Sequence, residues 1–334
     1  MSGELSMAAV DLIELWRGDM LESVHQGHAV VCDPSGIVQA WGDPEAVIFP
    51  RSSCKMIQAL PLLESGAARA AGLQTQHLAL SCASHNGASI HVREVGDWLK
   101  ARGLAERDLR CGSHMPGDKP EAARLTCSGL SACQLHNNCS GKHAGFLTLN
   151  QHMKGGTEYI DVDHPVQLAG KAAFEEVTGE TSPGYGIDGC SAPNHACTVT
   201  GLARAMAAFA APGSDMRGDA MRALVQAMCA FPELVAGEGR ACTELMRAME
   251  GRVAVKTGAE AVFVAIIPEK KLGVALKIRD GGTRASEAAI TAILVHLGVL
   301  EPSHQVVEKY LTGDQKNWRG MVTGQLRRAA GFPA

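Results

Sequence analysis

The sequence predicts an α/β fold of the α+β kind, in which strands from the two ends of the chain form one antiparallel sheet covered by helices. Apolar runs of strand length occur in residues 10–49 and again in residues 262–278, and turn signals accompany both groups. The residues between the two groups are dominated by helical periodicity. This order of elements favours a sheet subdomain and a helical subdomain.

The first elements are three predicted strands: Val10–Trp16, Gly27–Cys32 and Ile37–Trp41. Between the second and third lies Asp33-Pro-Ser-Gly36, where proline presets one backbone dihedral and glycine permits a positive one. The sequence therefore predicts a tight turn at this point. A further strand-like run, Ala46–Phe49, ends at Pro50.

The middle of the chain predicts a series of helices. They lie near residues 53–71, 89–104, 143–151, 165–177, 198–211, 216–230 and 240–250. Ser89 is the predicted N-cap of the second helix, and Asp163 with Pro165 opens the fourth. Residues 108–142 and 179–194 show little periodicity and many Gly, Pro, Cys, His and Asn. A long irregular stretch in a compact domain is more often a functional surface than a mere connection.

The chain ends in a predicted hairpin, Val262–Ile267 with Gly273–Ile278, followed by a helix over residues 284–297. No internal repeat or long linker divides the chain, so residues 1–334 are predicted to form a single domain. Its sheet subdomain takes in about 8–50 and 252–334, and its helical subdomain about 51–251.

Composition excludes several classes of partner. The net charge is −4, with acidic and basic residues interspersed, which argues against nucleic acid. No apolar segment approaches the length of a membrane span, and residues 1–7 lack the basic and apolar regions of a signal peptide, so we expect a cytoplasmic protein. The eleven cysteines are scattered, which is typical of reduced thiols rather than a disulfide framework. We therefore expect a small-molecule partner.

The motif Ser52-Ser-Cys-Lys55 follows Pro50 at a predicted helix start. Residues three apart in a helix share a face, so the Ser52 hydroxyl and the Lys55 amine are predicted to meet across one turn. Such a pair is a nucleophile with its base, because a neutral lysine can take the proton from an alcohol. Taken alone, Ser-x-x-Lys also arises by chance in chains of this length.

Two further motifs follow in order. They are Ser84-His-Asn86 and Lys256-Thr-Gly258, which complete the Ser-x-x-Lys, Ser-x-Asn and Lys-Thr-Gly set of penicillin-binding enzymes and serine β-lactamases. Lys256-Thr-Gly258 precedes a buried-strand pattern, so we expect it on an edge strand beside the nucleophile. The alternative for Lys256 is a lysine that merely keeps the sheet edge soluble.

The irregular stretches hold Cys139-Ser-Gly-Lys-His143 and Asp188-Gly-Cys190. Two cysteines from separate loops could share a zinc ion with a histidine or carboxylate, but no Cys-x-x-Cys pair is present, and this spacing favours buried structural thiols. Lone histidines such as His85 and His136 are more often packing or surface residues than ligands.

These motifs together make the chain resemble the rhizobial-type L-asparaginases, also called asparaginase II, which are similar in fold to β-lactamase/penicillin-binding-like enzymes and glutaminases. The resemblance runs from Arg17-Gly18 through Arg51-Ser-x-Cys-Lys55 and Asn138-Cys-Ser-Gly-Lys-His143 to Lys256-Thr-Gly-Ala-Glu260. It implies hydrolysis of L-asparagine to L-aspartate and ammonia by a homodimer in the cytoplasm.

The resemblance also implies roles for individual residues. Two Ser-Lys pairs are implied as catalytic, Ser52 with Lys55 and Ser84 with Lys256. A zinc ion is implied at Cys139, Lys142 and Cys190, although lysine is not among the usual zinc ligands. Residues implied to lie close to substrate or metal are Arg51, His143 and Asp188. Cys242 falls in the same region without an assigned role.

Two other functions use the same residues. A penicillin-recognising or esterase-like serine hydrolase would share all three motifs, although a periplasmic enzyme of that kind would need an export signal. A non-catalytic zinc- or ligand-binding protein on the same scaffold would not need paired Ser-Lys sets. We therefore expect amide hydrolysis through a Ser-Lys activated acyl-enzyme.

Overall fold

The computed structural model describes residues 8–333, so residues 1–7, on which the expected lack of a signal peptide rests, lie outside the described residues. The strands within that range are β1 (Val10–Arg17), β2 (Met20–Asp33), β3 (Gly36–Trp41), β4 (Val47–Ile48), β5 (Tyr185–Ile187), β6 (Pro193–His195), β7 (Cys197–Thr198), β8 (Ala254–Gly258), β9 (Val262–Ile267), β10 (Leu272–Ile278), β11 (Asp314–Lys316) and β12 (Val322–Arg328).

The α-helices of the same range are α1 (Lys55–Gln58), α2 (Leu60–Glu64), α3 (Ala67–Ala70), α4 (Thr75–Ser81), α5 (Ser89–Ala101), α6 (Lys119–Cys127), α7 (Ser140–Met153), α8 (Pro165–Thr178), α9 (Val199–Ala210), α10 (Met216–Ala230), α11 (Pro232–Val235), α12 (Ala241–Ala248), α13 (Thr283–His296) and α14 (Gln305–Tyr310). Short 3₁₀ turns lie at Arg51–Cys54, Glu106–Asp108, Gln134–His136 and Pro268–Lys270. None of the helices between residues 8 and 333 has both the length and the apolar character needed to cross a bilayer.

The main sheet joins strands from both ends of the chain, and all its pairings are antiparallel, as predicted. Its order is β11-β12-β1-β2-β10-β9-β8, with β3 paired to β2. The Lys-Thr-Gly strand β8 is at the edge, which confirms that prediction. Strands β11 and β12 were not predicted, because β12 buries few of its side chains and its sequence is largely polar.

The described chain divides into two compact units. The sheet unit takes in the described parts of Met1–Ser53, Cys197–Ala211 and Glu244–Ala334, and the helical unit takes in Cys54–Ala196 and Pro212–Thr243. Helix α9 therefore belongs to the sheet unit, whereas the sequence predicts it in the helical subdomain. The reason is burial: α9 packs on β2, β9 and β10, and β9 is buried at every position.

The helical unit departs from its predicted pattern in three places. The predicted helix over residues 53–71 is broken into α1, α2 and α3, because Pro61 begins a new turn and Gly66 has a φ of +79°. Residue 88, an alanine, precedes the first residue of α5, so Ser89 is not its cap. Helix α6 lies in the stretch predicted to be irregular, capped by the Asp118 carboxylate, which accepts from the backbone N–H of Glu121.

A close approach between α4 and α7 sets the position of the motif Cys139-Ser-Gly-Lys-His143. A Cβ atom at Gly141 would lie 2.5 Å from the backbone oxygen of Leu80, far inside ordinary contact. Only glycine therefore allows the first turn of α7 to pack on the last turn of α4. This contact holds the start of α7 beside the segment that follows α4, which includes Ala83 and Ser84.

We expect Gly141→Ala to lower the free energy of unfolding by roughly 1–3 kcal/mol, because the added methyl group forces α4 and α7 apart. Gly170→Ala is the matched control, since Gly170 is also helical and nothing lies within 4 Å of a Cβ built there. That control should stabilise the protein by about 0.5–1 kcal/mol through reduced backbone entropy. Denaturant unfolding measures both, and equal effects of the two substitutions would contradict the close approach.

Candidate active site

In the sheet unit, Ser52 lies in the 3₁₀ turn that follows Pro50. Arg51 has a φ of +54°, which a right-handed helix does not permit, and the α-helix itself begins at Lys55. Ser52 therefore stands in a tight turn before the helix rather than in its first α-turn as predicted.

The glycine of Lys256-Thr-Gly258 lets this turn lie against the edge strand. A Cβ atom at Gly258 would be 2.6 Å from the backbone oxygen of Pro50 and 3.2 Å from the backbone nitrogen of Ser53. Residues two apart in a strand point to the same face, so Lys256 projects from the face of β8 that meets the turn. Its side chain is 1% exposed and its Nζ donates to the Thr257 carbonyl at 2.8 Å. A lysine this deeply buried does not serve to keep the sheet edge soluble.

In the helical unit, Lys55 is buried among three partners. Its Nζ atom lies 2.5 Å from the Ala83 carbonyl oxygen, 2.9 Å from Ser84 Oγ and 3.1 Å from Cys139 Sγ. A carbonyl oxygen only accepts, so the Lys55 amine donates to Ala83. The Ser84 hydroxyl both donates and accepts, so it can exchange a proton with Lys55.

Backbone hydrogen bonds of the kind that join strands fix the segment from Ser84 to Asn86. The backbone N–H groups of Ser84 and Asn86 donate to the carbonyls of Val235 and Ala236, each at 2.9 Å. Between them, His85 is fully buried, and its Nε2 lies 3.0 Å from the Ser140 hydroxyl at the start of α7. Burial lowers the pKa of His85 well below its ordinary value, so its ring is neutral at pH 7. These bonds fix the direction in which the Ser84 side chain points.

The two cysteines of the predicted metal cluster meet in the helical unit. The neighbouring Cys139 side chain holds the pKa of the Cys190 thiol well below its ordinary value, against the effect of burial. The Lys142 Nζ atom lies 3.1 Å from Cys190 Sγ and adds to this effect. Burial opposes the charge on Lys142, but the Cys190 and Cys139 sulfurs outweigh it and raise the Lys142 pKa. The amine and the two sulfurs of this cluster therefore influence one another's pKa values directly.

The side chains around Cys139 and Cys190 provide three metal ligands only if Lys142 is counted among them. Among residues 8–333, no group of three or more His, Cys, Asp and Glu side chains is placed to hold a metal ion. Cys139 and Cys190 supply two sulfurs that are already in contact, and Lys142 supplies a nitrogen beside them. Sulfur and nitrogen are the donors that zinc prefers. The three residues named by the resemblance thus fit zinc only with Lys142 deprotonated, because an ammonium group has no lone pair to offer a metal.

His143 and Asp188 both flank this cluster. His143 Nδ1 lies 2.8 Å from the Tyr159 hydroxyl, and Cys190 is close enough to the ring to oppose the effect of burial on its pKa. Burial lowers the pKa of His143 to about 4, so the ring is neutral at pH 7. Asp188, half-buried, contributes to the raised pKa of Lys142. Tyr159 was not predicted, because a single aromatic in a polar loop looks like any core residue.

The structure thus brings the predicted residues into two sets. The sheet unit holds Arg51, Ser52 and Lys256. The helical unit holds a connected series of contacts along Ser84, Lys55, Cys139, Cys190 and Lys142. The pairings of Ser52 with Lys55 and of Ser84 with Lys256 stay predictions. The contact of Lys55 with Cys139 was not predicted, since no spacing rule links residues so far apart in the chain.

Similar structures have been solved. One is a beta-lactamase from Mycobacterium bovis, with 14% identity and a TM-score of 0.46, matched over 82% of this chain and 95% of that one. Another is a putative beta-lactamase from Bacteroides dorei, at 12% identity and a TM-score of 0.44, over 80% and 93%. A third is a Bacillus subtilis glutaminase in covalent complex with 5-oxo-L-norleucine, at 12% and 0.39, over 83% and 88%. Similarities this distant carry no argument about activity.

Sequence comparison is more informative. No curated protein matches the chain. The family model for L-asparaginase II matches residues 13–328, which includes all the motifs from Arg51 to Lys256. Because this match spans nearly the whole chain, the protein is an amidohydrolase that belongs to the L-asparaginase II family.

Proposed function

We propose that this amidohydrolase cleaves the side-chain amide of L-asparagine, giving L-aspartate and ammonia through a Ser-Lys activated acyl-enzyme. The observation that carries the proposal is Lys55, a fully buried amine 2.9 Å from the Ser84 hydroxyl and three residues after Ser52. A buried lysine beside hydroxyl groups is the arrangement that acyl transfer needs, since the amine can take and return a proton. The family supports an amide as the substrate.

In the proposed reaction, Ser52 Oγ attacks the side-chain carbonyl carbon of asparagine and its proton passes to Lys55. The C–N bond then breaks and the nitrogen leaves as ammonia after receiving a proton, which leaves an aspartyl ester on Ser52. Water hydrolyses that ester. Ser84, in contact with Lys55, and Lys256 act as the relay that supplies the proton to the departing nitrogen and later positions the water.

The tetrahedral oxyanion needs donors, which we assign to backbone N–H groups. One is that of Ser52 itself, and the other belongs to a residue just after Gly258, where β8 ends. Arg51 is the proposed partner of the substrate α-carboxylate, because a guanidinium binds a carboxylate with two parallel hydrogen bonds. His143 and Asp188 are proposed to lie beside the substrate or the metal, as the resemblance implies.

We further propose a zinc ion at Cys139, Lys142 and Cys190. Zinc would hold the irregular segments that carry these residues in one place, and the chemistry it supplies is positional. To bind it, Lys142 would give up its proton and Cys139 its thiol hydrogen. Assembly as a homodimer and a cytoplasmic location stay predictions of the sequence.

Two assays test the proposed substrate. One measures ammonia release from asparagine and from glutamine, and the other measures nitrocefin turnover. We expect ammonia from asparagine, less from glutamine, and no nitrocefin turnover. Nitrocefin turnover without ammonia release from either amide would favour the penicillin-recognising alternative. Bound zinc without ammonia release from any amide would favour a binding protein.

Ser52→Ala should lower kcat for asparagine by at least about 10³-fold with an unchanged circular dichroism spectrum, because the nucleophile is lost. Ser53→Ala is the matched control: the Ser53 hydroxyl donates to the Pro50 carbonyl at 2.7 Å, so this neighbour serves the turn and not the reaction. Ser53→Ala should lower the free energy of unfolding and retain most of the turnover. Near-normal turnover in Ser52→Ala would refute the assignment.

Ser84→Ala should also be severely impaired, since it removes the hydroxyl in contact with Lys55. Acid quench during turnover followed by peptide mass spectrometry separates the two serines. We expect the added acyl mass on the peptide that carries Ser52. An acyl group on Ser84 would mean that the roles of the two serines are reversed.

Elemental analysis of protein purified without chelator should find zinc, and Cys139→Ser should contain much less. Removal of the metal should weaken substrate binding more than it slows the chemical step, because its proposed part is positional. Cys127→Ser is the control, since Cys127 is an exposed thiol outside the cluster, which consists of buried residues. Equal zinc in wild type and Cys139→Ser, or none in either after incubation with zinc, would return these cysteines to the class of structural thiols.

A further inference from the structure

A second nucleophile cluster lies in the helical unit, outside the residues assigned to amide hydrolysis. Cys133 Sγ lies 3.3 Å from His136 Nδ1, and His136 Nε2 lies 3.3 Å from Glu121 Oε1. Cys133 precedes the 3₁₀ turn Gln134–His136, and Glu121 belongs to α6. The three side chains form a thiol, imidazole and carboxylate series, the order in which a base activates a nucleophile and a third group orients the base.

The hydrogen bonds determine which nitrogen of His136 carries the proton. The backbone N–H of Cys133 can only donate, and it points at His136 Nδ1 at 3.1 Å, so Nδ1 accepts. An ionised Glu121 can only accept, so the proton is on Nε2. The single lone pair of Nδ1 therefore faces Cys133, where the backbone N–H at 3.1 Å holds it and the thiol lies at 3.3 Å. The thiol proton passes to that lone pair when the hydrogen bond from the backbone N–H lengthens.

Glu121 is held in the ionised form that this arrangement requires. Its side chain is buried, and Arg124 donates to both of its carboxylate oxygens. The hydrogen bond from Arg124, together with that from His136, lowers the pKa of Glu121 against the effect of burial. A carboxylate fixed in this way orients the imidazole and stabilises the imidazolium that forms when the thiol gives up its proton.

Solvent exposure and a histidine neighbour together distinguish Cys133 from the other cysteines. All eleven lie in the described part of the chain, and eight are buried. Of the other three, Cys127 is exposed, whereas Cys133 and Cys229 are half-buried. Burial raises the pKa of Cys229 to about 11. Among these accessible thiols of residues 8–333, Cys133 is the one placed against a histidine.

We propose that Cys133 is a reactive thiol, activated by His136 and oriented through Glu121, that hydrogen peroxide oxidises to a sulfenic acid. The thiol proton passes to His136 Nδ1, and the thiolate sulfur attacks one peroxide oxygen. An S–O bond forms as the O–O bond breaks, so the sulfur is oxidised by two electrons and the peroxide is reduced. The departing hydroxide takes the proton from His136 and leaves as water.

Competition among the three accessible thiols tests the proposal on the intact protein. Limiting iodoacetamide at pH 7 forms an S–C bond and releases iodide, and peptide mass spectrometry follows each cysteine separately. We expect Cys133 to react about tenfold faster than Cys127, as for thiols activated by an adjacent base. After brief exposure to hydrogen peroxide, dimedone should label Cys133 before the other two.

His136→Gln should lower the Cys133 rate to that of Cys127 or below, with the rates of Cys127 and Cys229 unchanged. Glu121→Gln should lower the Cys133 rate less than His136→Gln does, since this substitution removes the charge of the orienting group and keeps its shape. The wild-type comparison overturns the proposal by itself, whether or not the variants fold, if Cys133 reacts no faster than Cys127. An unchanged Cys133 rate in a folded His136→Gln variant would also overturn it.

Discussion

The interaction on which the candidate site depends is the burial of the Lys55 amine. A charged or polar group taken out of water costs several kcal/mol unless its hydrogen bonds are restored, so the surrounding chain has to supply partners. Lys55 finds them in the Ala83 carbonyl, the Ser84 hydroxyl and the Cys139 sulfur. Those partners come from the residues after α4 and from the start of α7. The need to satisfy one amine therefore fixes the mutual position of these segments.

The packing around these segments serves the same end. Gly141 allows α7 to touch the backbone of α4, and the bonds of Ser84 and Asn86 to the 235–236 carbonyls hold the Ser84 backbone in place. In the sheet unit, Gly258 similarly lets the turn that carries Ser52 lie against β8. In both units a glycine lies where backbone must approach backbone, and the residues of the candidate site lie beside it.

The sulfur atoms extend this network. Cys139 contacts Lys55 on one side and Cys190 on the other, and Cys190 contacts Lys142. The two lysines are thus connected through two cysteines, and the state of any one of these four groups affects the others electrostatically. Cys133 lies outside this series and pairs with His136 instead, so the helical unit contains thiols in two chemically different settings.

The sequence by itself determined the fold class, the position of β8 at the sheet edge and the hairpin of β9 and β10, and it marked the serines and lysines that we propose as catalytic. Those features depend on apolar periodicity and on motifs read within a few residues, which are local properties of a chain. Only the tertiary structure decided that Lys55 contacts Ser84 and Cys139, 29 and 84 residues away, and that His136 orients between Cys133 and Glu121. Contacts of this kind depend on how α4, α6 and α7 pack, and packing depends on the fit of many distant side chains at once, which no local pattern encodes.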